Sequence, residues 1–273
     1  MEREFQFSLA QLTVLKTSPA EISRIAAEAG YDFVSMRQIY LGLPEEPDYD
    51  LSKNKKLMDE TKAVFAETGI KLLDIELARI FVGMDVKKYE PAMATARELG
   101  GRHVLSSIWT DKREYALEKF AEVCDLAKEY GLTVDLEYVP IAAVKTLAES
   151  VEVLRTVNRT NAGLLIDAHH FHRAGDSPEE LKKLPREWFH LVHICDAPGE
   201  IPSDRDEMTR ILREERSYLG EGGIDVAAIL RALPSVPYSI ELPNLKNATR
   251  YGYSGHARRC LESAKTYLAD HLK

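Results

Sequence analysis

One phrase recurs along this chain and limits what it can fold into. It is an amphipathic helix rich in Ala, Glu, Lys and Leu, then a glycine, then a short apolar or β-branched strand with a usually polar last residue. Four copies stand out: AEAG-YDFVSMR ending at Arg37, AETG-IKLLDIE ending at Glu76, ARELGG-RHVLSSIW ending at Trp109, and AKEYG-LTVDLE ending at Glu137. Gly30, Gly69, Gly100 or Gly101, and Gly131 stand where a helix needs a left-handed residue before the chain turns into a strand. The repeating unit is therefore helix to strand.

Further apolar strands are expected at Gly163 to Ala168, Leu191 to Ile194 and Tyr238 to Leu242, with an opening strand at Phe5 to Leu9. Strands that alternate with helices pair in parallel, and eight such units in about 250 residues match an α/β closed (β/α)8 TIM barrel. A doubly wound open sheet is the alternative topology. Ser18-Pro19-Ala20-Glu21 and Ser177-Pro178-Glu179-Glu180 each place Ser three before Glu with proline at the first helical position, which marks helix starts. No Pro/Gly/Ser-rich linker divides the chain, so residues 1–273 are expected to form a single domain. At 45% hydrophobic residues that domain can bury a full core with no disulfide or metal needed merely to fold.

Charge narrows the partners. Lys+Arg of 36 against Asp+Glu of 44 leaves a net −8, which repels phosphate backbones and argues against nucleic-acid binding. A small-molecule substrate fits better. Cys124, Cys195 and Cys260 stand far apart with no CxxC spacing, as expected of a reducing, cytoplasmic compartment. Met1-Glu2-Arg3-Glu4-Phe5 lacks a basic start followed by a long apolar run, so neither a signal peptide nor a membrane anchor is expected.

In a barrel the reacting groups lie at the carboxyl ends of strands. Four ends carry metal-ligand chemistry: Glu137 closes TVDLE, Asp167 closes GLLID, His193 lies in LVHIC, and Glu241 closes YSIE. Any one alone reads as a surface or salt-bridged group. Together they end apolar β-patterned runs, where three converging carboxylates would repel one another unless a divalent cation sat between them. One imidazole among oxygens suits Mn²⁺ or Mg²⁺ first, with Co²⁺ or Zn²⁺ as further candidates.

These residues resemble the xylose isomerase-like TIM-barrel superfamily, whose members include sugar isomerases and epimerases, inosose dehydratase, 3-dehydroshikimate dehydratases and endonuclease IV. The resemblance is carried by LEYVP around Glu137, LLIDAHHFHRAGD, LVHICDAP, LGEGGID and SIELPN, and spans nearly the whole chain. It implies that Glu137, Asp167, His193 and Glu241 bind one catalytic metal and that Glu137 and Glu241 form an acid/base pair. The implied reaction removes an α-proton from a small keto sugar or related polyol carbonyl compound through a metal-stabilised enediolate. Loss of a β-hydroxyl from the same enolate would make the chain a dehydratase instead. A catalytically silent sugar-binding barrel is the reading of a different class. Endonuclease IV needs further zinc ligands, and the matching places here hold Glu76, Trp109, Glu214 and Arg216, which argues against cleavage at abasic sites.

Around this centre, His170 is a candidate hydrogen-bond partner or proton carrier, or a capping histidine. Arg37 and Glu76 are expected at the mouth as substrate contacts or as a structural pair. Trp109 is a wall for a sugar ring or core packing, and Cys195 a small buried filler. The charged stretch from Asp196 to Gly220 is long for a βα turn and marks a lid, from which Arg205 is the candidate substrate contact. The glycines of Leu219-Gly220-Glu221-Gly222-Gly223 could cradle phosphate or only permit a turn. Asp74 and Asp135 lie one layer below Glu76 and Glu137 by strand alternation, as supports for the site.

Overall fold

The computed structural model describes residues 5–42 and 46–272, so the first four residues, on which the reading of a missing leader rests, lie outside the described part. Eight strands, β1 (Phe7–Ala10), β2 (Phe33–Arg37), β3 (Lys71–Ile80), β4 (His103–Ile108), β5 (Thr133–Glu137), β6 (Ala162–Asp167), β7 (Val192–Ile194) and β8 (Tyr238–Ile240), close in sequence order into a barrel. Every neighbouring pair is parallel, and β1 pairs with β8, which rules out the open sheet. Around the barrel lie α1 (Pro19–Ala29), α2 (Lys55–Thr68), α3 (Glu90–Glu98), α4 (Arg113–Glu129), α5 (Leu147–Val157), α6 (Ala168–Ala174), α7 (Pro178–Leu181), α8 (Arg205–Glu214), α9 (Val226–Ala232) and α10 (Leu245–His271). Among the described residues no helix is long and apolar enough to cross a membrane.

Local chemistry explains the joints. At the start of α1 the Ser18 side chain accepts from the Glu21 N–H while Glu21 accepts from the Ser18 N–H, with Pro19 in the first turn. The helix ends at Gly30, whose φ of 92° turns its N–H back onto the carbonyls of Ala26 and Ala27. Gly69, Gly100 and Gly131 are also left-handed. Ser177 caps α7 through the Glu179 N–H, but α7 is a single turn of four residues.

Several strand ends differ from the sequence expectation: β1 ends at Ala10 and not Leu9, β6 at Asp167 and not Ala168, and β8 at Ile240 and not Leu242. β3 runs on to Ile80, so Glu76 lies within the strand, and its pairing with β4 shifts register between Ile75 and Ala78. Trp109 and Glu241 each stand one residue past their strands.

Phe33, Leu73, Leu105, Leu165 and Leu191 form a small apolar cluster, separate from the large core between sheet and helices. Drawn from strands and their approaches, it packs the barrel interior, and burial of each leucine stabilises the fold by about 2 kcal/mol. Beside it lies a buried polar layer. Ser8 Oγ and Ser239 Oγ lie 2.8 and 3.3 Å from Ser35 Oγ, which donates to Asp74. Burial, with the Glu76 charge adding to it, raises the Asp74 carboxyl well above the usual carboxylate range.

Candidate metal centre

The last turns of four consecutive strands converge. Glu137 ends β5, Asp167 ends β6, His193 is central in β7, and Glu241 follows β8. Strand register sets Asp167 directly beside His193. One ligand atom from each of the four lies within 4.8 Å of all the others, and all four residues are buried. His193 Nδ1 stands 3.4 Å from Glu137 Oε1, 3.6 Å from Glu241 Oε2 and 3.9 Å from Asp167 Oδ2. Ligands tetrahedral about a cation at about 2.1 Å would be separated by about 3.4 Å, so this spacing leaves room for an ion.

Hydrogen bonding tests the fit. Both ring nitrogens of His193 and Glu137 Oε1 are buried with no hydrogen-bond partner, an arrangement that costs free energy unless something satisfies them. A divalent ion would satisfy Glu137 Oε1 and one of the two ring nitrogens. Burial opposes a charged imidazole at His193, yet Glu241 and Glu137 outweigh it and hold the ring well above its ordinary value. The donor set of three carboxylates and one imidazole therefore suits a divalent ion, and these four residues would hold it.

Arg216 is a site residue that sequence reasoning missed. Its side chain is fully buried, and Nη1 donates to Asp167 Oδ2 at 2.7 Å and to the Glu241 carbonyl at 3.0 Å. Nη2 lies 3.0 Å from Glu241 Oε2, and Cys195 Sγ is 3.4 Å from Nη1. Burial works to raise both carboxyls, but the guanidinium wins: Asp167 falls well below the usual range and Glu241 drops to about 2. Arg216 thus neutralises one side of the cluster and leaves the Glu137 and His193 side open. It stands where an endonuclease IV-like chain would carry a further zinc-binding histidine, and that position was its one signal in the sequence.

The segment after β7 places Arg216. It carries α8 and then pairs Ser217 with Asp196 and Glu215 with Asn244 through antiparallel bridges. The glycine loop holds this segment and is not turned toward a phosphate. N–H groups of Gly220, Gly222 and Ile224 donate to the Asp196 carboxylate at 3.0–3.1 Å, and a Cβ on Gly222 would lie 2.2 Å from Asp196 Oδ1.

Above the cluster opens a cavity of about 480 Å³ lined by Glu137, Glu241, Arg216, His170, Arg37 and Trp109, among others. His170 is buried, and its N–H and that of His169 donate to Asp167 Oδ1, so Asp167 also caps α6. Arg37 is held by two acids, with Nε 3.2 Å from Glu76 Oε2 and Nη1 3.4 Å from Glu46 Oε1. Glu76 does not line the cavity; burial raises its carboxyl to about 7 despite Arg37. Arg205 is also absent from the lining, and its Nη2 donates to the Ile141 carbonyl at 2.7 Å, tying α8 to the loop after β5. Cys195 is buried beside Arg216.

Asp135 belongs elsewhere. It accepts from or shares a proton with His190 Nδ1 at 2.6 Å and lies 3.7 Å from His103 Nδ1, near the amino ends of β4 and β7. The two imidazoles stack with centroids 5.2 Å apart. That end of a barrel serves stability.

Residues 23–263 match the family model described as xylose isomerase-like TIM barrel. The inosose isomerase of Bacillus licheniformis is 30% identical over 165 residues, spanning 56% of this chain and 57% of that protein. The inosose isomerase of Bacillus velezensis is 28% identical over 227 residues, 77% of this chain and 76% of that one. A 3-dehydroshikimate dehydratase of Pseudomonas aeruginosa is 26% identical over 85% of this chain but only 36% of its own length. The crystal structure of an IOLI protein with a zinc atom bound superposes with a TM-score of 0.80 at 23% identity, covering 98% of this chain and 99% of that one. With the fold, the strand-end cluster and the matched span in agreement, the chain belongs to the xylose isomerase-like TIM barrel family.

Proposed function

We propose that this chain is a divalent-metal-dependent isomerase or epimerase acting on a small polyhydroxylated ketone, a keto sugar or an inosose-type ring. The observation that carries the reading is the convergence of Glu137, Asp167, His193 and Glu241 on one point, with Glu137 and Glu241 lining the cavity. Mn²⁺, Mg²⁺, Co²⁺ and Zn²⁺ are the candidate ions, and a bound one supplies Lewis-acid polarisation of the substrate carbonyl. The chain's own residues then move the proton.

The two glutamates are not equivalent. Arg216 Nη2 lies 3.0 Å from Glu241 Oε2 and neutralises that carboxylate, whereas the charged side chain beside Glu137 is His193 and, among the described residues, no arginine pairs with it. Glu137 therefore removes the α-proton. Returning it from Glu137 to the neighbouring carbon gives aldose/ketose isomerisation, and delivery from the Glu241 side gives epimerisation. This asymmetry favours isomerisation, in keeping with the inosose isomerases among the relatives. A dehydratase reading draws support from the 3-dehydroshikimate dehydratase relative.

The test is turnover of ketohexoses and cyclic hydroxyketones in deuterated solvent by protein loaded with Mn²⁺ or Zn²⁺. Deuterium at the α-carbon with interconverted ketones, lost by about a hundredfold or more in Glu137→Gln, supports the proposal. A UV-absorbing dehydrated product without interconversion supports the dehydratase instead. Ligand binding without any exchange, unchanged in Glu137→Gln, makes the chain a silent binding barrel.

A further inference from the structure

The cavity above the metal-ligand cluster is lined by four arginines, Arg37, Arg79, Arg213 and Arg216. Two of them are neutralised within the fold: Arg37 by Glu76 and Glu46, and Arg216 by Asp167 and Glu241. Among the described residues neither Arg79 nor Arg213 forms an ion pair, although both line the same space. Arg79 is the more constrained. It stands on the extension of β3 beyond Glu76, in register with Ser107, and is half-buried. Its guanidinium carbon lies 4.2 Å over the Trp109 ring, and Trp109 Nε1 donates to Ser107 Oγ at 2.8 Å, which fixes that ring. Arg79 Nε is buried with no hydrogen-bond partner.

Such a guanidinium is costly. Burial works against its charge, and the nearby Arg213 and Arg37 add to that. Stacking on an aromatic ring orients the planar fork but accepts no N–H hydrogen bond along its edge. What the group lacks is an oxyanion, and the open space in front of it is the substrate cavity.

We infer that Arg79, with Arg213 of α8 near it, receives a carboxylate or phosphate of the substrate, so that the natural substrate is an anionic hydroxyketone and not a neutral sugar. The inference rests on the proposed reaction at the same cavity and specifies which of its substrates fit. The planar fork of Arg79 binds two oxygens of the anion while the hydroxyketone end faces Glu137 and Glu241. Trp109 serves as the platform that aims Arg79, which accounts for an aromatic residue directly after β4.

Calorimetric binding to Mn²⁺-loaded protein tests this with three six-carbon probes: D-fructose, 5-keto-D-gluconate and D-fructose 6-phosphate. At low ionic strength at least one charged probe is expected to bind about tenfold or more tightly than fructose. Which of the two charged probes gains identifies the anion. Inorganic phosphate should compete with that probe in the wild-type protein, a readout that requires no variant. Arg79→Gln should abolish the preference, and Arg79→Lys should keep part of it, with Mn²⁺ stoichiometry unchanged in both. Equal binding of the three probes, no binding of any, or a preference that survives Arg79→Gln overturns the inference. Mn²⁺ stoichiometry measured first on the same samples separates the two failures: absence of metal binding strikes the proposed reaction, whereas bound metal without charge preference strikes this inference alone.

Discussion

Arg216 Nη1 lies 2.7 Å from Asp167 Oδ2, and both side chains are completely buried. The pair spans from the segment after α8 to the end of β6, so the lid-like excursion after β7 is fastened to the floor of the cavity by a charge–charge contact inside the protein. Two buried carboxylates, Asp167 and Glu241, depend on the same guanidinium.

Removing that guanidinium strands both carboxylates. Arg216→Met, which keeps most of the volume, is expected to lower the stability of chelator-treated protein by about 3–5 kcal/mol in urea denaturation at neutral pH. Added Zn²⁺ or Mn²⁺ should restore a larger part of the stability in the variant than it adds to the wild type, because the ion supplies the missing positive charge. Unchanged stability in the variant would mean that Arg216 does not balance the cluster.

Acid and alkali should act on different carboxyls in the metal-free protein. Glu241 titrates near 2 in the fold, below its ordinary 4.5, and Asp167 is also lowered. Their ionised forms stabilise the fold above the ordinary carboxylate range, and that stability drains as the pH falls from there toward 2. Glu76 has the opposite sign: burial raises it from 4.5 to about 7, so its ionisation destabilises the fold as the pH rises through that window. Glu76→Gln is therefore expected to gain stability over the wild type at about pH 8, and little or nothing near pH 4, in urea titrations. An equal effect at both pH values would rule out titration of Glu76 as the cause.

The four ligand candidates were legible because each ends, follows or lies within an apolar strand pattern, where a charge has no solvated helix face to occupy. The barrel was legible for the same reason, through left-handed glycines such as Gly30 that punctuate the repeat. Arg216 was not. It belongs to LREERSYL, in which Arg213, Glu214 and Glu215 are exposed, and the pairings of Ser217 with Asp196 and Glu215 with Asn244 flank Arg216 and turn it inward. Local pattern cannot distinguish one arginine among such neighbours. Arg79 was hidden by the overrun of β3, since the apolar pattern closes at Glu76 and the last four residues of the strand depend on pairing with β4. The glycines near Gly222 read as a phosphate cradle or a plain turn, and their close approach to the Asp196 carboxylate was not legible.

That approach makes Gly222 sensitive. A Cβ there would lie 2.2 Å from Asp196 Oδ1 and 2.4 Å from the Ala197 carbonyl, with no flexible chain end to yield. Gly222→Ala is expected to cost about 1–3 kcal/mol, read as a lowered urea midpoint. It should also weaken metal binding, because Asp196 anchors the strand partner that presents Arg216. Native stability in this variant would show that the segment is free to shift.

The central claim is a single divalent ion among Glu137, Asp167, His193 and Glu241, and metal content per chain tests it most directly. Purified protein, dialysed against Mn²⁺ or Zn²⁺ and analysed by elemental mass spectrometry, is expected to hold one ion per chain, and a folded His193→Ala variant to hold close to none. No ion retained by the wild type, or one retained equally by the variant, contradicts the account.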